Sequence, residues 1–406
     1  PPLMDPDEGR YAEIAREMWV LGDWLVPHLN FVPYLEKPPL VYWLTALGFG
    51  LLGYTEFAAR LPSALSAAGG VVLAYWLGKT LWGRGPAFFG AVVLATCGGY
   101  IALGRLLTLD MSLAWWLNLG VALGYVALSR ERPRLWLWAY AALALAVLTK
   151  GPVALVLPWL IWGLWALVQR RPLTFFFQPW GWLILAGLAL PWFIGVTWKY
   201  PEFFRFFILE QHLGRYLTVA LHPQPLYYYV PVLLAFMLPW SWLLPWALWE
   251  QVRRRDPDRL FLLIWAGAVV VFFSLSRGKL APYILPALLP LALLLGESLF
   301  PYPGTEPGLM KNRFLKVSLV IWAALAWTLV LLYLRPPAVL ARPLEQAAPF
   351  FPWAALLLLG LALTPTLTLA LRRVMVLFLG ALILSTLAPV GLEKLSLRRS
   401  PREMGR

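Results

Sequence analysis

Long apolar runs, one after another, constrain this chain more than any other feature. They fall at roughly 57–82, 86–104, 109–129, 135–149, 151–168, 179–198, 226–249, 259–276, 280–299, 313–334, 350–371 and 374–390. Runs of about 16–24 residues suit helices that cross a bilayer. In hydrocarbon only a helix or a closed barrel satisfies its own backbone groups. Barrel strands would instead be about 10 residues long with alternating polarity, a pattern absent here. The chain is 61% hydrophobic and only 13% charged, against about 25% charged in soluble domains. So much apolar surface cannot be hidden in one water-soluble core. The expected fold is an all-α polytopic membrane protein. Trp82, Trp136, Trp138, Trp180, Trp198, Tyr227 to Tyr229 and Trp249 stand near run ends, as interfacial belts require. Prolines within or beside the runs (Pro158, Pro191, Pro231, Pro239, Pro245, Pro286, Pro290) are tolerated where neighbouring helices satisfy the freed carbonyls.

The net charge of +14 is scattered over short connections. That distribution fits the positive-inside rule and excludes a nucleic-acid-binding face. One set of alternate connections holds Lys79, Arg84, Arg130, Arg132, Arg134, Arg170, Arg171, Arg253 to Arg255, Arg259, Lys311, Arg313, Lys316, Arg372 and Arg373. This more basic side is cytoplasmic. The other set holds Arg105, Lys150, Lys199, Arg205, Arg215, Arg277, Lys279, Arg335 and Arg342. A lone cysteine, Cys97, excludes a disulfide within the chain and argues against a cysteine metal site. The chain opens at Pro1 in what reads as a loop, so an upstream membrane helix is expected.

Against this apolar background the first forty residues are dense in acids: Asp5, Asp7, Glu8, Glu13, Glu17, Asp23 and Glu36, with Glu56 just beyond. Residues 5–20 read as an amphipathic helix. Asp5 is a suitable N-cap, Pro6 suits the first helical position and Glu8 suits a capping box. Tyr11, Ile14, Ala15 and Met18 share one face, and Gly22-Asp23 ends the helix. Residues 23–37 carry Pro27 and Pro33 and read as loop, with Pro38 just after them. Residues 39–53 are apolar but too short for a full crossing, so a re-entrant or interfacial helix is expected.

If 39–53 does not cross, the non-cytoplasmic side collects Asp7, Glu8, Glu36, Lys37, Arg105, Asp110, Lys150, Glu210, His212, Arg215, Arg277, Lys279 and Tyr283. Charges at membrane helix ends are costly unless paired or functional. Arg and Lys suit a phosphate, and a carboxylate can deprotonate an acceptor hydroxyl. Each residue also has a plainer reading. Asp5 and Glu8 could cap a helix, and Asp7 could be a solvated loop acid. Glu36-Lys37 could be an interfacial pair. Asp110 and Lys150 each sit where a helix dipole favours them. His212 could be a loop histidine, and Arg277 with Lys279 a membrane anchor. The grouping on one side is stronger than any member.

The segments Asp7-Glu8-Gly9-Arg10-Tyr11-Ala12-Glu13-Ile14-Ala15-Arg16-Glu17-Met18, Gly22-Asp23-Trp24-Leu25-Val26-Pro27-His28-Leu29 and Tyr34-Leu35-Glu36-Lys37-Pro38-Pro39 closely resemble the start of the aminoarabinose–lipid A transferases. Further matches are Leu107-Thr108-Leu109-Asp110, Leu148-Thr149-Lys150-Gly151, Glu210 to Tyr216, Tyr227-Tyr228-Tyr229-Val230-Pro231 and Ser276 to Leu285. They occur in the family's order and cover residues 5 to about 300. These enzymes belong to the protein O-mannosyltransferase superfamily of polyprenyl-phosphate-dependent glycosyltransferases, with the GT-C fold.

The resemblance implies a thirteen-helix membrane enzyme of the bacterial inner membrane, with its site facing the periplasm. Twelve visible crossings plus an upstream helix would match that count. It divides the chain into a first outer loop with juxtamembrane helices (1–55), a catalytic transmembrane core (56–300), C-terminal helices (301–390) and a basic tail (391–406). It implies an undecaprenyl-phosphate-linked sugar donor and a lipid A-like, glycan or protein acceptor, in a monomeric enzyme. Asp7 matches the catalytic aspartate, and Glu8, Asp110 and Lys150 join it as catalytic candidates. Lys37 and Arg215 match residues that hold the lipid phosphate, and Arg277, Lys279 and Tyr283 join them. Glu36 and His212 match the surroundings of a divalent metal, zinc or magnesium/manganese. Gln211 departs from the glutamate usual in close relatives. The short tail departs from their soluble C-terminal domain. Within this class a protein O-mannosyltransferase-like enzyme is the alternative. Outside it, a lipid-linked sugar transporter is the alternative, although transporters commonly show internal repeats and none is visible here.

Overall fold

The computed structural model describes residues 2–4, 6–173, 177–214, 223–254, 256–300, 313–334, 359–368, 376, 380 and 381. It is all-helical apart from one small hairpin. The first helix, α1, runs Asp7–Leu21 and ends at Gly22, whose φ of 65° is the left-handed conformation that closes a helix. The helix starts one residue later than the capping pattern predicts, and Pro6 occupies the cap position without a side-chain bond. Asp5 lies outside the described residues.

The segment read as plain loop contains a hairpin, β1 (His28–Leu29) and β2 (Val32–Pro33), paired antiparallel. Its turn residues, Asn30 and Phe31, both have positive φ, 54° and 61°. Two consecutive positive φ values are those of a type I′ turn. Phe31 is a costly residue there, and the carboxylate of buried Glu17 accepts its N–H at 2.8 Å. That bond from α1 holds the turn.

Helix α2 (Leu40–Leu52) is short and packs on α1 and on α3 (Glu56–Trp82). Thr55 caps α3, its hydroxyl accepting from the Ala58 N–H at 3.1 Å. The rest of the bundle is α4 (Arg84–Thr96), α5 (Gly98–Gly104), α6 (Leu109–Ser129), α7 (Leu135–Lys150), α8 (Val153–Val168), α9 (Pro179–Lys199), α10 (Tyr229–Phe236), α11 (Leu244–Arg253), α12 (Pro257–Leu275), α13 (Leu285–Leu299) and α14 (Arg313–Leu334). Every residue of α13 is buried. Its Gly296 lies against the backbone of Gly90 in α4, where any Cβ would clash with main chain. Such small-residue contacts let membrane helices approach closely.

Two runs expected as straight crossings are broken. Helices α4 and α5 bend by 64° at Cys97. Run 226–249 divides into a 226–236 limb and a 241–253 limb, 117° apart. Prolines at 239 and 245 withhold N–H groups the second run would need to stay straight. The two breaks meet each other. The Gly98 N–H donates to the Leu238 carbonyl at 2.8 Å, and Trp240 Nε1 donates to Thr96 Oγ1 at 2.9 Å. Backbone groups freed in one helix are thus satisfied by the other. Among the described residues, five helices are long and apolar enough to cross a membrane, or seven if each bent pair is one span. Most of the expected runs 350–371 and 374–390 lies outside the described residues.

Candidate functional site

One end of the bundle gathers the starts of α1, α3 and α6, the end of α7 and the loop before α13. Asp110 is in the first turn of α6 and Lys150 closes α7. These helices pack along their length, so the acid and base meet, Lys150 Nζ to Asp110 Oδ1 at 2.5 Å. Both are largely withdrawn from solvent, each side chain 16% exposed. The Tyr283 ring lies over the same ammonium, 4.6 Å from Nζ to the centroid, a cation–π contact.

Helix α1 faces this pair. Burial pushes the Tyr11 phenol above its ordinary value. Lys150 and Arg10 oppose that rise, while Asp110 and Asp7 add to it. Tyr11 is therefore ringed by the charges of three helices. Asp7 stands at the open edge, 59% exposed, with Arg10 Nη2 at 2.5 Å from Oδ1. Asp110, Lys150 and Tyr283 are thus brought together, and Tyr11 of α1 lies near enough to feel the charges of Lys150, Asp110 and Asp7.

Glu8, the neighbour of Asp7, points the other way and is 2% exposed. Its carboxylate accepts from Arg60 Nε at 2.9 Å and Nη2 at 2.7 Å, from the Leu107 N–H at 2.6 Å and from the Met4 N–H at 2.8 Å. Burial alone would raise its pKa, but the Arg60 fork and the two backbone N–H groups outweigh burial and hold it below the usual carboxylate range. The carboxylate is fully occupied by α3 and by the loop leading to Asp110.

The remaining candidates flank this centre. Glu36 lies in a pocket of about 450 Å³ with Tyr34, Tyr200, Glu202, Phe203 and Phe206. The Tyr34 hydroxyl is 3.4 Å from Glu36 Oε2, and burial, reinforced by Glu36, pushes that phenol well up. Tyr34 meets Tyr42 edge-on and Tyr11 meets it at a tilt, with centroids 6.4 and 6.1 Å apart, so an aromatic chain joins the Glu36 pocket to the centre. Lys37 is half-buried beside Glu36.

On the other flank, Arg277 and Lys279 line a pocket of about 340 Å³ with Gln224 and Ser276. Lys279 is 5% exposed and its ammonium donates to the carbonyls of Ser276 at 2.5 Å and Gln224 at 3.0 Å. Glu210 and Arg105 are exposed. Arg215 and the side chain of His212 lie outside the described residues. Among the described residues no three His, Cys, Asp or Glu side chains are gathered that could hold a metal ion.

Arg60 was not singled out by sequence reasoning, because it sits inside a run that otherwise reads as a spanning helix. The signal was there: a charge in an apolar helix needs a partner, and buried Glu8 is that partner. Glu202 had no such signal, because only the fold brings it opposite Glu36.

With this geometry in hand, comparisons with known proteins converge. A family profile described as dolichyl-phosphate-mannose-protein mannosyltransferase matches residues 36–198. The undecaprenyl phosphate-alpha-4-amino-4-deoxy-L-arabinose arabinosyl transferase of Erwinia tasmaniensis is 36% identical over 377 residues, covering 87% of this chain and 67% of that protein. The protein of the same name from Pseudomonas savastanoi pv. phaseolicola is 36% identical, covering 92% and 69%. A second-numbered homologue from Pseudomonas fluorescens is 37% identical, covering 73% and 52%. The chain thus spans between about half and about two thirds of the length of such relatives. Among solved structures, ArnT from Cupriavidus metallidurans bound to undecaprenyl phosphate matches with a TM-score of 0.83 and 30% identity, covering 97% of this chain and 74% of that one. Its apo state matches with a TM-score of 0.80.

Proposed function

The chain belongs to the undecaprenyl phosphate–aminoarabinose arabinosyl transferase family of GT-C membrane glycosyltransferases, and on that premise we propose that it moves a sugar from a polyprenyl-phosphate donor to an envelope acceptor. It is a multi-pass membrane protein of the inner membrane, with its site on the periplasmic side. The observation that carries this reading is the convergence of Asp7, Tyr11, Asp110, Lys150 and Tyr283 at one end of an apolar bundle. A lipid-linked donor needs such a place, where its prenyl chain stays among apolar helices while its phosphate and sugar reach charged groups. About twelve crossings are proposed, counting the bent pairs and the shorter apolar helices with the long ones.

In this reading the acceptor oxygen attacks the sugar's anomeric carbon. The bond from that carbon to the donor phosphate oxygen breaks, and polyprenyl phosphate leaves. Lys37 and Arg215 neutralise the leaving phosphate, with Arg277 and Lys279 on the neighbouring flank. This charge stabilisation is the larger catalytic contribution. Asp7, open to the mouth and steered by Arg10, takes the proton of a hydroxyl acceptor. With a phosphate acceptor there is no such proton to remove, and Asp7 orients the nucleophile instead. The Asp110–Lys150 pair, capped by Tyr283, forms the polar floor under the sugar. Glu36 and His212 are the residues proposed for a divalent metal, and no step is routed through one. The profile match over residues 36–198 favours a second acceptor, a Ser or Thr hydroxyl of a protein.

The test is incubation of the purified full-length protein with polyprenyl-phosphate sugars and membrane extract, followed by mass analysis. A sugar mass added to a lipid, glycan or protein supports the reading and names the acceptor. Exchange of labelled lipid-linked sugar across the membrane with no transfer product would overturn it in favour of a transporter.

A further inference from the structure

Asp7 and Glu8 are neighbours in one helical turn, yet they face opposite ways. Asp7 is at the mouth, and Glu8 is sealed inside with Arg60 of α3 and the Leu107 N–H. Leu107 is three residues before Asp110. Holding Glu8 on Leu107 therefore sets Asp7 and Tyr11 against Asp110 and Lys150. We propose that Arg60 and Glu8 are positioning residues for transfer, a clamp that fixes the register between α1 and the start of α6. This inference rests on the glycosyltransferase reading of the site.

Three observations carry it. First, the clamp is saturated on the Glu8 side: its two oxygens take four N–H donors from three separate segments. Arg60 also donates to the Pro2 carbonyl at 2.9 Å, which ties in the segment leading to α1. Second, the packing around it is poorly specific. In the apolar cluster between α1, α2, α3 and the Leu107–Leu109 stretch, five of the nine buried residues are alanines, Ala12, Ala15, Ala46, Ala58 and Ala59, and the α1 and α3 sides contribute only alanines to it, against Val41, Phe49, Leu107 and Leu109. Small side chains allow close approach but offer little to resist a slide along the helix axis. A bidentate arginine fork onto a carboxylate is directional and does resist it. Third, the far partners of the clamp are the site's own segments. Displacing Glu8 must move Asp7, one residue away, and releasing Leu107 frees the loop into Asp110.

The clamp touches neither substrate nor reacting atoms, so its signature is a split between kcat and KM. Arg60→Lys keeps the charge and loses the fork. Glu8→Asp keeps the charge and shortens the reach. In the full-length protein each should insert and keep its thermal midpoint within a few degrees. Each should lower kcat by about 10–100-fold, the scale of a 1 Å misplacement. Donor KM should stay within about threefold, because other residues hold the phosphate. A kcat within about threefold of wild type in both folded variants would overturn the proposal. So would a loss that falls equally on kcat and KM, or one that follows loss of folded protein.

A second measurement stands apart from activity. Spin labels at Glu13→Cys on α1 and Arg105→Cys on the loop report their separation by pulsed dipolar spectroscopy. Arg60→Lys should broaden or shift that distance distribution, and an unchanged distribution would refute the clamp. If wild type transfers no sugar, the glycosyltransferase reading fails, and the distance measurement still decides whether Arg60 sets the register.

Discussion

Both ends of the helical bundle hold carboxylates against cations, and they use them differently. At the far end, Glu297 in the last turn of α13 receives Arg254 at 3.0 Å, Arg259 at 2.7 Å and Gln251 at 2.5 Å. Beside it, Asp258 receives Arg130 at 2.7 Å and the Tyr125 hydroxyl at 2.5 Å. These groups tie α6, α11, α12 and α13 together, and each acid is buried. Among the described residues that pair a carboxylate with a cation at the site end, Glu8 alone has that character. Asp7 is open, and Asp110 and Lys150 are paired but still partly accessible under an aromatic ring. Burial with both carboxylate oxygens bonded marks a fastener. Partial exposure beside a pocket marks a group that can meet a substrate. The site end needs both, and Glu8 with Asp7 divides them within two residues.

Substitutions at the two ends should therefore fail in different ways. The largest effect belongs to Asp7→Asn, expected to cut transfer by about 10²–10⁴-fold, the range of a lost general base, with insertion and thermal midpoint unchanged. Lys37→Ala should also abolish measurable transfer without unfolding the protein. At the far end, Glu297→Gln leaves two arginines facing a neutral group. Breaking such a buried pair costs about 3–5 kcal/mol. Thermal unfolding should register this as a large drop, while transfer per folded molecule stays at the wild-type rate. If Glu297→Gln were silent in stability and damaging in turnover, the division between the ends would be wrong.

Smaller effects sharpen the contrast. Tyr283→Leu removes the ring over Lys150, worth about 0.5–2 kcal/mol, and should lower kcat/KM accordingly. Tyr283→Phe keeps the ring face and should stay near wild type. A pH series isolates Glu8. Its folded-state pKa lies below the ordinary 4.5, so its stabilisation is fully present above that value. It is lost as pH falls through the lower, folded-state pKa. The difference in thermal midpoint between wild type and Glu8→Gln should therefore persist from neutral pH down to about 4.5, then shrink progressively as pH falls through the lower folded-state pKa. A difference that disappeared near neutrality would show that the Arg60 fork does not hold the charge.

Much of this arrangement was legible before any coordinates. The apolar runs located most helices, because hydrocarbon leaves a buried backbone few alternatives. Helices α6 and α14 match the expected 109–129 and 313–334. The basic-residue count placed Asp7, Asp110, Lys150 and Tyr283 on one side, where they meet. Hydropathy says nothing about direction, however. It could not show that runs 86–104 and 226–249 bend at Cys97 and near Pro239, since each break is stabilised by the other helix. The hairpin at 28–33 was hidden because Phe31 is a poor turn residue, held there by Glu17 from another element. Arg60 was hidden because a run average hides a single charge. The opposite facing of Asp7 and Glu8 is set by partners 52 and 99 positions from Glu8.

In the proposed mechanism Asp7, at the open edge, acts on an acceptor while a lipid-phosphate sugar is bound beside it. Reconstituting the full-length protein in liposomes with an undecaprenyl-phosphate-linked amino sugar and an isolated lipid A acceptor tests it directly, with products read by mass spectrometry. Wild type should add one sugar to the acceptor and release undecaprenyl phosphate in equal amount, and Asp7→Asn, equally inserted, should do neither. Equal transfer by both proteins would show that Asp7 takes no part in the reaction.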